Sequence, residues 1–212
     1  MFKSNKFKII VASIITLLPL LAGFLLWDKL PDKVPMHWDI NGQVDGYADK
    51  LQAIIFGPVL MFVLYWVCVL VTKLDPKNKG QNKKAFNMTI FIIPMISLAV
   101  NGLIYSAALG YGFNTSLFLC LLSGAMFVLI GNYMPKIKQN FTIGIKIPWT
   151  LDSEENWNAT HRFTGKVWFI GGFLIMICAF LPATVATICM VTIIMVMAII
   201  PFVYSYLYTK RK

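Results

Sequence analysis

The chain is 212 residues long, 58% hydrophobic and 13% charged, with a formal net charge of +10. A soluble domain carries about 25% charged residues, so this composition, with its charges gathered into clusters, excludes an ordinary soluble globule. It does not point to nucleic acid either, because the Lys and Arg clusters are short, flank apolar runs and accompany no nucleic-acid-binding motif.

Residues 85–135 and 167–209 contain no Asp, Glu, Lys or Arg. A membrane-spanning helix needs about 20 apolar residues, so each run accommodates two. In chain order the predicted spans are 9–27, 53–72, 86–109, 115–134, 167–182 and 184–208. The long runs are divided at GYGFNTS (110–116) and LPATVA (181–186), where Gly, Pro and Asn mark turns. The first run is longer than the h-region of a signal peptide and is expected to be retained. The expected fold class is therefore all-α: a polytopic membrane protein forming a single six-span domain over residues 1–212.

Basic residues orient this bundle. Lys3, Lys6 and Lys8 precede the first span, and Lys73, Lys77, Lys79, Lys83 and Lys84 follow the second. Lys136, Lys138, Lys146, Arg162 and Lys166 follow the fourth, and Lys210, Arg211 and Lys212 follow the sixth. The remaining side holds only Lys29, Lys33 and Lys50. The positive-inside rule then places both termini in the cytoplasm, and the basic segments are expected to attract anionic membrane lipid. Cys68, Cys120, Cys178 and Cys189 all fall inside apolar runs, which is neither a disulfide framework nor a zinc spacing.

The first loop, 28–52, is extracellular on this reading and gathers five of the nine acids in the chain. Within it VPMHWDINGQVDGY carries a hairpin signal: Asn41-Gly42 suits a two-residue type I′ turn. Met36, Trp38 and Ile40 alternate with His37 and Asp39, so one face would be apolar and lie on the bilayer or the helices. Trp38 and Tyr47 suit the headgroup zone. His37 and Asp39 would be same-side neighbours, open to three readings: solvated polar residues, contacts to a cationic ligand, or a metal site. One His with carboxylates is a weak metal signal.

The loop 135–166 is cytoplasmic on the same reading. Pro148 disfavours helix at Ile147. Asp152 or Ser153 can cap a helix whose first turn holds Glu154 and Glu155, and Asp152 and Glu155 have capping-box spacing. That helix is expected to run to about Thr164 and to lie at the interface, with Trp149, Trp157 and Phe163 as aromatic anchors. Glu154, Trp157 and His161 would share one face, and Asn158 and Arg162 a second. The segment reads either as an anchor for the fifth span or as a docking surface for a cytoplasmic partner.

The two histidines are expected on opposite sides of the membrane, so no site can use both. There is no HExxH, GxSxG or P-loop, and no cofactor motif. An enzyme acting through Glu154, His161 and Arg162 is the weakest reading. An exporter is disfavoured because no ionisable residue falls inside a span. Asn87, Asn101 and Asn132 within spans are expected to bond helix to helix. By elimination, binding and signalling fit best.

Two segments carry a resemblance. LPDKVPMHWDINGQVDGYADK (30–50) matches a pattern of LP, P, HW, G, DGY and K, carried by Leu30, Pro31, Pro35, His37, Trp38, Gly42, Asp45, Gly46, Tyr47 and Lys50. IGIKIPWTLDSEENWNATHRFTGK (143–166) matches IG, PWTL, W, HR and GK, carried by Ile143, Gly144, Pro148, Trp149, Thr150, Leu151, Trp157, His161, Arg162, Gly165 and Lys166. The chain thus resembles the SdpI family, bacterial immunity proteins against secreted peptide toxins, with the N-terminal domain of unknown function typical of that family. The resemblance implies a plasma-membrane protein of a Gram-positive bacterium. The best-known member also acts as a receptor that holds a transcriptional repressor at the membrane when toxin is bound. On this basis His37, Trp38, Asp39, Asp45 and Tyr47 are the expected contacts to an extracellular peptide toxin. Trp149, Glu154, Trp157, His161 and Arg162 are the expected contacts to a cytoplasmic regulator.

Overall fold

A computed structural model describes residues 5–78, 83–112 and 114–211, the side chains of 78 and 83–85 excepted. Of the residues used above, Lys3, Lys79, Phe113 and Lys212 lie outside the described residues, as do the side chains of Lys83 and Lys84. The chain is mostly helical. Its elements are α1 (Lys6–Leu25), β1 (Lys33–Trp38), β2 (Val44–Asp49), α2 (Lys50–Leu74), α3 (Lys83–Ala108), α4 (Thr115–Tyr133), α5 (Pro148–Asp152), α6 (Glu154–Cys178) and α7 (Ala183–Lys210). One-turn 3₁₀ segments follow α2 (Pro76–Asn78) and α4 (Met134–Lys136).

Among the described residues five helices are long and apolar enough to cross a membrane: Lys6–Leu25, Lys50–Leu74, Phe86–Ala108, Thr115–Lys136 and Ala183–Lys210. The predicted fifth span, 167–182, is not a helix of its own. It is the C-terminal part of α6, continuous with the segment expected to form a separate interfacial helix ending near Thr164. Nothing between Thr164 and Val167 breaks a helix, since Gly165 alone costs only about 1 kcal/mol there. The first half of α6 carries Glu154, Glu155, Arg162 and Lys166, and the second half is uncharged.

The chain forms two compact units. The first comprises residues 1–70 and 87–115, the second residues 71–86 and 116–212. In the first, apolar side chains cannot tell a neighbouring helix from lipid, so polar bonds carry the specificity. Hydroxyls on α2 and α3 donate to backbone carbonyls of α1: Tyr65 to Ile9 (3.2 Å), Ser97 to Thr16 (2.9 Å) and Tyr105 to Pro19 (3.0 Å). Of the asparagines expected to bond between helices, Asn87 does so, accepting from Lys8 Nζ at 3.0 Å. Asn101 does not: its Nδ2 donates to Ser97 O within its own helix, and its Oδ1 has no partner. A short amide reaches its own preceding turn more easily than a neighbouring helix. Asn132 is exposed.

In the second unit α6 packs on α4 and α7. Gly131 and Gly165 bring α4 and α6 into backbone contact: a Cβ on Gly131 would lie 2.6 Å from Phe169 N and 2.8 Å from Gly165 O. Between α6 and α7 the contact is polar. Buried Asn156 donates to Ser205 O (3.0 Å) and Thr209 Oγ1 (2.8 Å), and its Oδ1 accepts from Thr160 Oγ1 (2.8 Å) and Ser205 Oγ (2.7 Å). Every hydrogen-bonding position of that amide is used, which suits a group out of reach of water.

Candidate functional site

The hairpin of the first unit exists and lies on the helix ends. Leu30, Val34, Ala53, Ile54, Ile104 and Tyr105 form a buried cluster, with Met36, Trp38 and Ala48 packed against it. The strand β1 does not alternate cleanly, because Val34 and Pro35 are both buried. The register explains this. Pro35 pairs with Tyr47 but His37 with Gly46 and Trp38 with Val44, so Met36 and Asp45 are each an extra residue on their strand. Such bulges re-aim side chains. Here they bring Asp45 Oδ1 to 2.6 Å from His37 Nδ1.

The expected pairing of His37 with Asp39 is thereby replaced by His37 with Asp45. Asp39 shapes the turn instead. Its carboxylate accepts from the backbone N–H of Gln43 (2.8 Å) and Asn41 (2.9 Å) and from Asn41 Nδ2 (3.1 Å). The Gln43 N–H, followed by the Asn41 amide and N–H, holds this carboxyl below the usual carboxylate range. The turn is not the two-residue type I′ turn. Gly42 N–H donates to Asp39 O (3.0 Å) and Asp39 N–H to Gln43 O (2.8 Å), enclosing Ile40, Asn41 and Gly42. Only Gly42 has positive φ (77°), whereas type I′ requires it at Asn41 as well. The Asp39 carboxylate stabilises the three-residue form by capping Asn41 and Gln43 from within.

The hairpin therefore presents the exposed His37–Asp45 pair, exposed Tyr47 (61%), and the surface pairs Lys33–Asp49 (2.8 Å) and Lys50–Asp32 (3.4 Å). Trp38 is half-buried and Ile40, expected on the apolar face, is exposed at the turn. Among the described residues no three His, Cys, Asp or Glu side chains are grouped to hold a metal.

The second unit is organised differently. Ser153, not Asp152, caps α6, its Oγ accepting from Asn156 N–H at 3.2 Å. Glu154 is exposed, whereas Trp157 and His161 are 0% and 1% exposed, so the expected common face is divided between surface and interior. The Trp157 and His161 rings stack 4.0 Å apart. Trp157 Nε1 donates to Ile137 O (2.8 Å). His161 Nδ1 donates to Trp157 O (2.8 Å), and its Nε2 accepts from the backbone N–H of Ile145 (3.0 Å). One nitrogen donates and the other accepts, which defines a neutral imidazole. Burial favours that form and pushes the His161 pKa down to about 4.

Residues absent from the sequence reading hold the rest of this loop. Asp75 accepts from Phe141 N–H (2.8 Å), Thr142 Oγ1 (2.7 Å) and Lys77 N–H (2.9 Å). Asn140 bonds four backbone groups between Lys138 and Ile143. Gln139 donates to Thr150 O (2.8 Å) and Leu151 O (3.0 Å). The available signal was Asp75 itself, the one acid between Asp49 and Asp152 and set among lysines. Gly144 (φ +112°) closes against the histidine: a Cβ there would stand 2.5 Å from His161 Nε2 and 3.0 Å from the Trp157 ring. Trp149 sits on α5, half-buried, edge-on to Tyr206 (5.3 Å between centroids). It borders an open cavity of about 510 Å³ lined also by Pro148, Leu151, Asp152, Ser153 and Thr209. Arg162 is exposed and bonds its own helix through Nε to Asn158 O (3.3 Å).

These two regions coincide with two matches to known proteins. Residues 14–62 match a domain of unknown function, DUF1648, and residues 136–205 match the SdpI/YfhL protein family. The chain is also 30% identical over 205 residues to the immunity protein SdpI of Bacillus subtilis (strain 168), covering 96% of this chain and 97% of that one. The chain belongs to the SdpI family. No solved structure matches it. Family membership and the five candidate spans make it a multi-pass membrane protein. The SdpI-family segment begins at Lys136, where the uncharged run ends, and takes in the stapled loop, α5, α6 and most of α7.

Proposed function

We propose that this protein is a plasma-membrane immunity protein that confers resistance to a secreted antimicrobial peptide. The observation that carries the reading is the end-to-end 30% identity to an immunity protein. In this proposal both termini are cytoplasmic, as the basic residues require, and the uncharged C-terminal part of α6, from Val167, is the fifth of six spans, with Lys166 reaching back to the interface along its aliphatic stem. The hairpin then faces the medium. Its acidic, exposed surface suits a cationic or amphipathic peptide, with His37, Asp45 and Tyr47 as the contacts and Trp38 and Asp39 setting their geometry.

The same reading gives the cytoplasmic face a partner, a transcriptional repressor held at the membrane. Trp149, Glu154 and Arg162 reach the surface and are its proposed contacts, while buried Trp157 and His161 act on it through the shape of the loop. The test is survival of a toxin-sensitive host expressing the protein and challenged with a panel of secreted antimicrobial peptides. Protection against at least one peptide, lost in the double variant His37→Ala/Asp45→Ala at unchanged membrane levels, is the expected result. Absence of protection across the panel overturns the reading.

A further inference from the structure

Beside the contact of α4 and α6 lies a groove of about 340 Å³, lined by Gly131, Asn132, Pro135, Gly165, Lys166, Phe169 and Ile170. Its volume is in the range of small-ligand sites. Its floor is the glycine contact itself: with no side chain on Gly131 or Gly165, the backbones touch and the flanking side chains diverge. Phe169 (39% exposed) and Ile170 (60% exposed) form an apolar wall. Lys166, Phe169 and Ile170 are spaced i, i+3 and i+4, so they line one face of α6 with the lysine one turn before the apolar pair.

The position of the groove in the charge pattern identifies its occupant. Lys166 is the last charged residue before the uncharged run 167–209, and Pro135 is the last residue of the uncharged run 85–135. Both helices therefore cross the boundary between charged and uncharged sequence at this groove. The cation stands on the charged side and the apolar wall on the uncharged side, the same order as phosphate and acyl chain in a phospholipid. Neighbouring cations are engaged elsewhere: Lys136 lies over the Tyr133 ring (4.6 Å) and Lys146 donates to Thr142 O (3.0 Å). The Lys166 ammonium makes no hydrogen bond or ion pair among the described residues, and Asn132 at the groove is exposed.

We propose that this groove is a binding site for an anionic phospholipid, with the phosphate on Lys166 and an acyl chain along Gly131, Gly165, Phe169 and Ile170. A basic pocket between spanning helices at the cytoplasmic level is a recurrent setting for anionic headgroups, and the aliphatic stem of Lys166 extends the apolar wall. The site is independent of toxin recognition and would be occupied with or without a peptide ligand.

The test is native mass spectrometry of the full-length protein in detergent with added phosphatidylglycerol or phosphatidylcholine. Lys166→Ala, Lys166→Arg and Lys210→Ala variants are compared with the parent, and all are first checked for monodisperse elution and an unchanged thermal transition. The parent is expected to retain phosphatidylglycerol in preference to phosphatidylcholine. Lys166→Ala should lower that retention about fivefold, Lys166→Arg should restore it, and Lys210→Ala should leave it unchanged. Soluble glycerol phosphate should not compete, since it lacks the acyl chain. Equal retention of both lipids, an equal loss from Lys210→Ala, or displacement by glycerol phosphate overturns the proposal. Should Lys166→Ala fail the folding check, Lys166→Gln carries the same comparison.

Discussion

In the hairpin His37, Asp45 and Tyr47 stand exposed, whereas in the 136–166 segment the signature residues Trp157 and His161 are sealed inside. Both segments pair a histidine with a tryptophan and sit among polar residues. The hairpin holds its shape with a few hydrogen bonds at the turn and rests one face on helix ends, leaving its charges outward. The second segment turns its polar side chains inward onto backbone groups, because an irregular loop packed against helices has N–H and C=O groups that water cannot reach. A histidine in one is available to a ligand; a histidine in the other is part of the scaffold. Substitutions should therefore separate function from folding in the hairpin and join them in the second unit.

The largest expected effect is Gly144→Ala. A left-handed backbone and a 2.5 Å approach to His161 combine there, so stability should fall by about 3 kcal/mol or more, read as a lowered thermal transition in detergent. If Gly144→Ala melts like the parent, the loop does not close on the histidine and the contrast fails. Asp75→Ala should follow. It removes three accepted hydrogen bonds from a buried loop, costing about 2 kcal/mol, with faster proteolysis around Phe141 as the local sign.

Burial of His161 should also make the stability depend on pH. The folded-state pKa of His161, about 4, lies below its unfolded value near 6.5. The unfolded chain therefore binds the extra proton first as pH falls. Stability is full above about pH 6.5 and decreases toward pH 4, by about 2 kcal/mol between pH 7 and pH 5. His161→Gln should flatten this dependence in denaturation scans, and a parent whose slope survives that change refutes the assignment. His37→Ala is expected to be the mildest for stability, within about 0.5 kcal/mol for an exposed pair. Its effect should appear in protection against toxin instead, measured at equal membrane levels.

Much of the molecule was legible along the chain. The uncharged runs located α1, α2, α3, α4 and α7 to within a few residues, because excluding charge from lipid is a constraint on composition and needs no partner; α6 begins at Glu154, well before the predicted start at 167, because its helix runs on through charged residues. The hairpin was legible from its Asn41-Gly42 turn signal, although the apolar alternation of Met36, Trp38 and Ile40 does not carry through to an exposed Ile40, and the helix start at 153–155 was legible from its cap and acids. The turn type was not, because the choice between two and three residues was made by the Asp39 carboxylate reaching Gln43. Nor was the His37–Asp45 pair, which depends on two bulges that no local pattern announces.

Composition and charge by themselves determined that this is a multi-pass membrane protein with two polar segments of different charge, since hydration energies act residue by residue. Only the tertiary structure decided which polar residues face outward. Trp157 and His161 are buried because Ile137, Gly144 and Ile145, up to twenty residues earlier, supply the carbonyl, the open space and the N–H they need. Likewise the close approach of α4 to α6 rests on two glycines far apart in the chain, Gly131 and Gly165. Hydrogen bonds and close packing are pairwise and join distant residues, so they become visible only when the chain has folded.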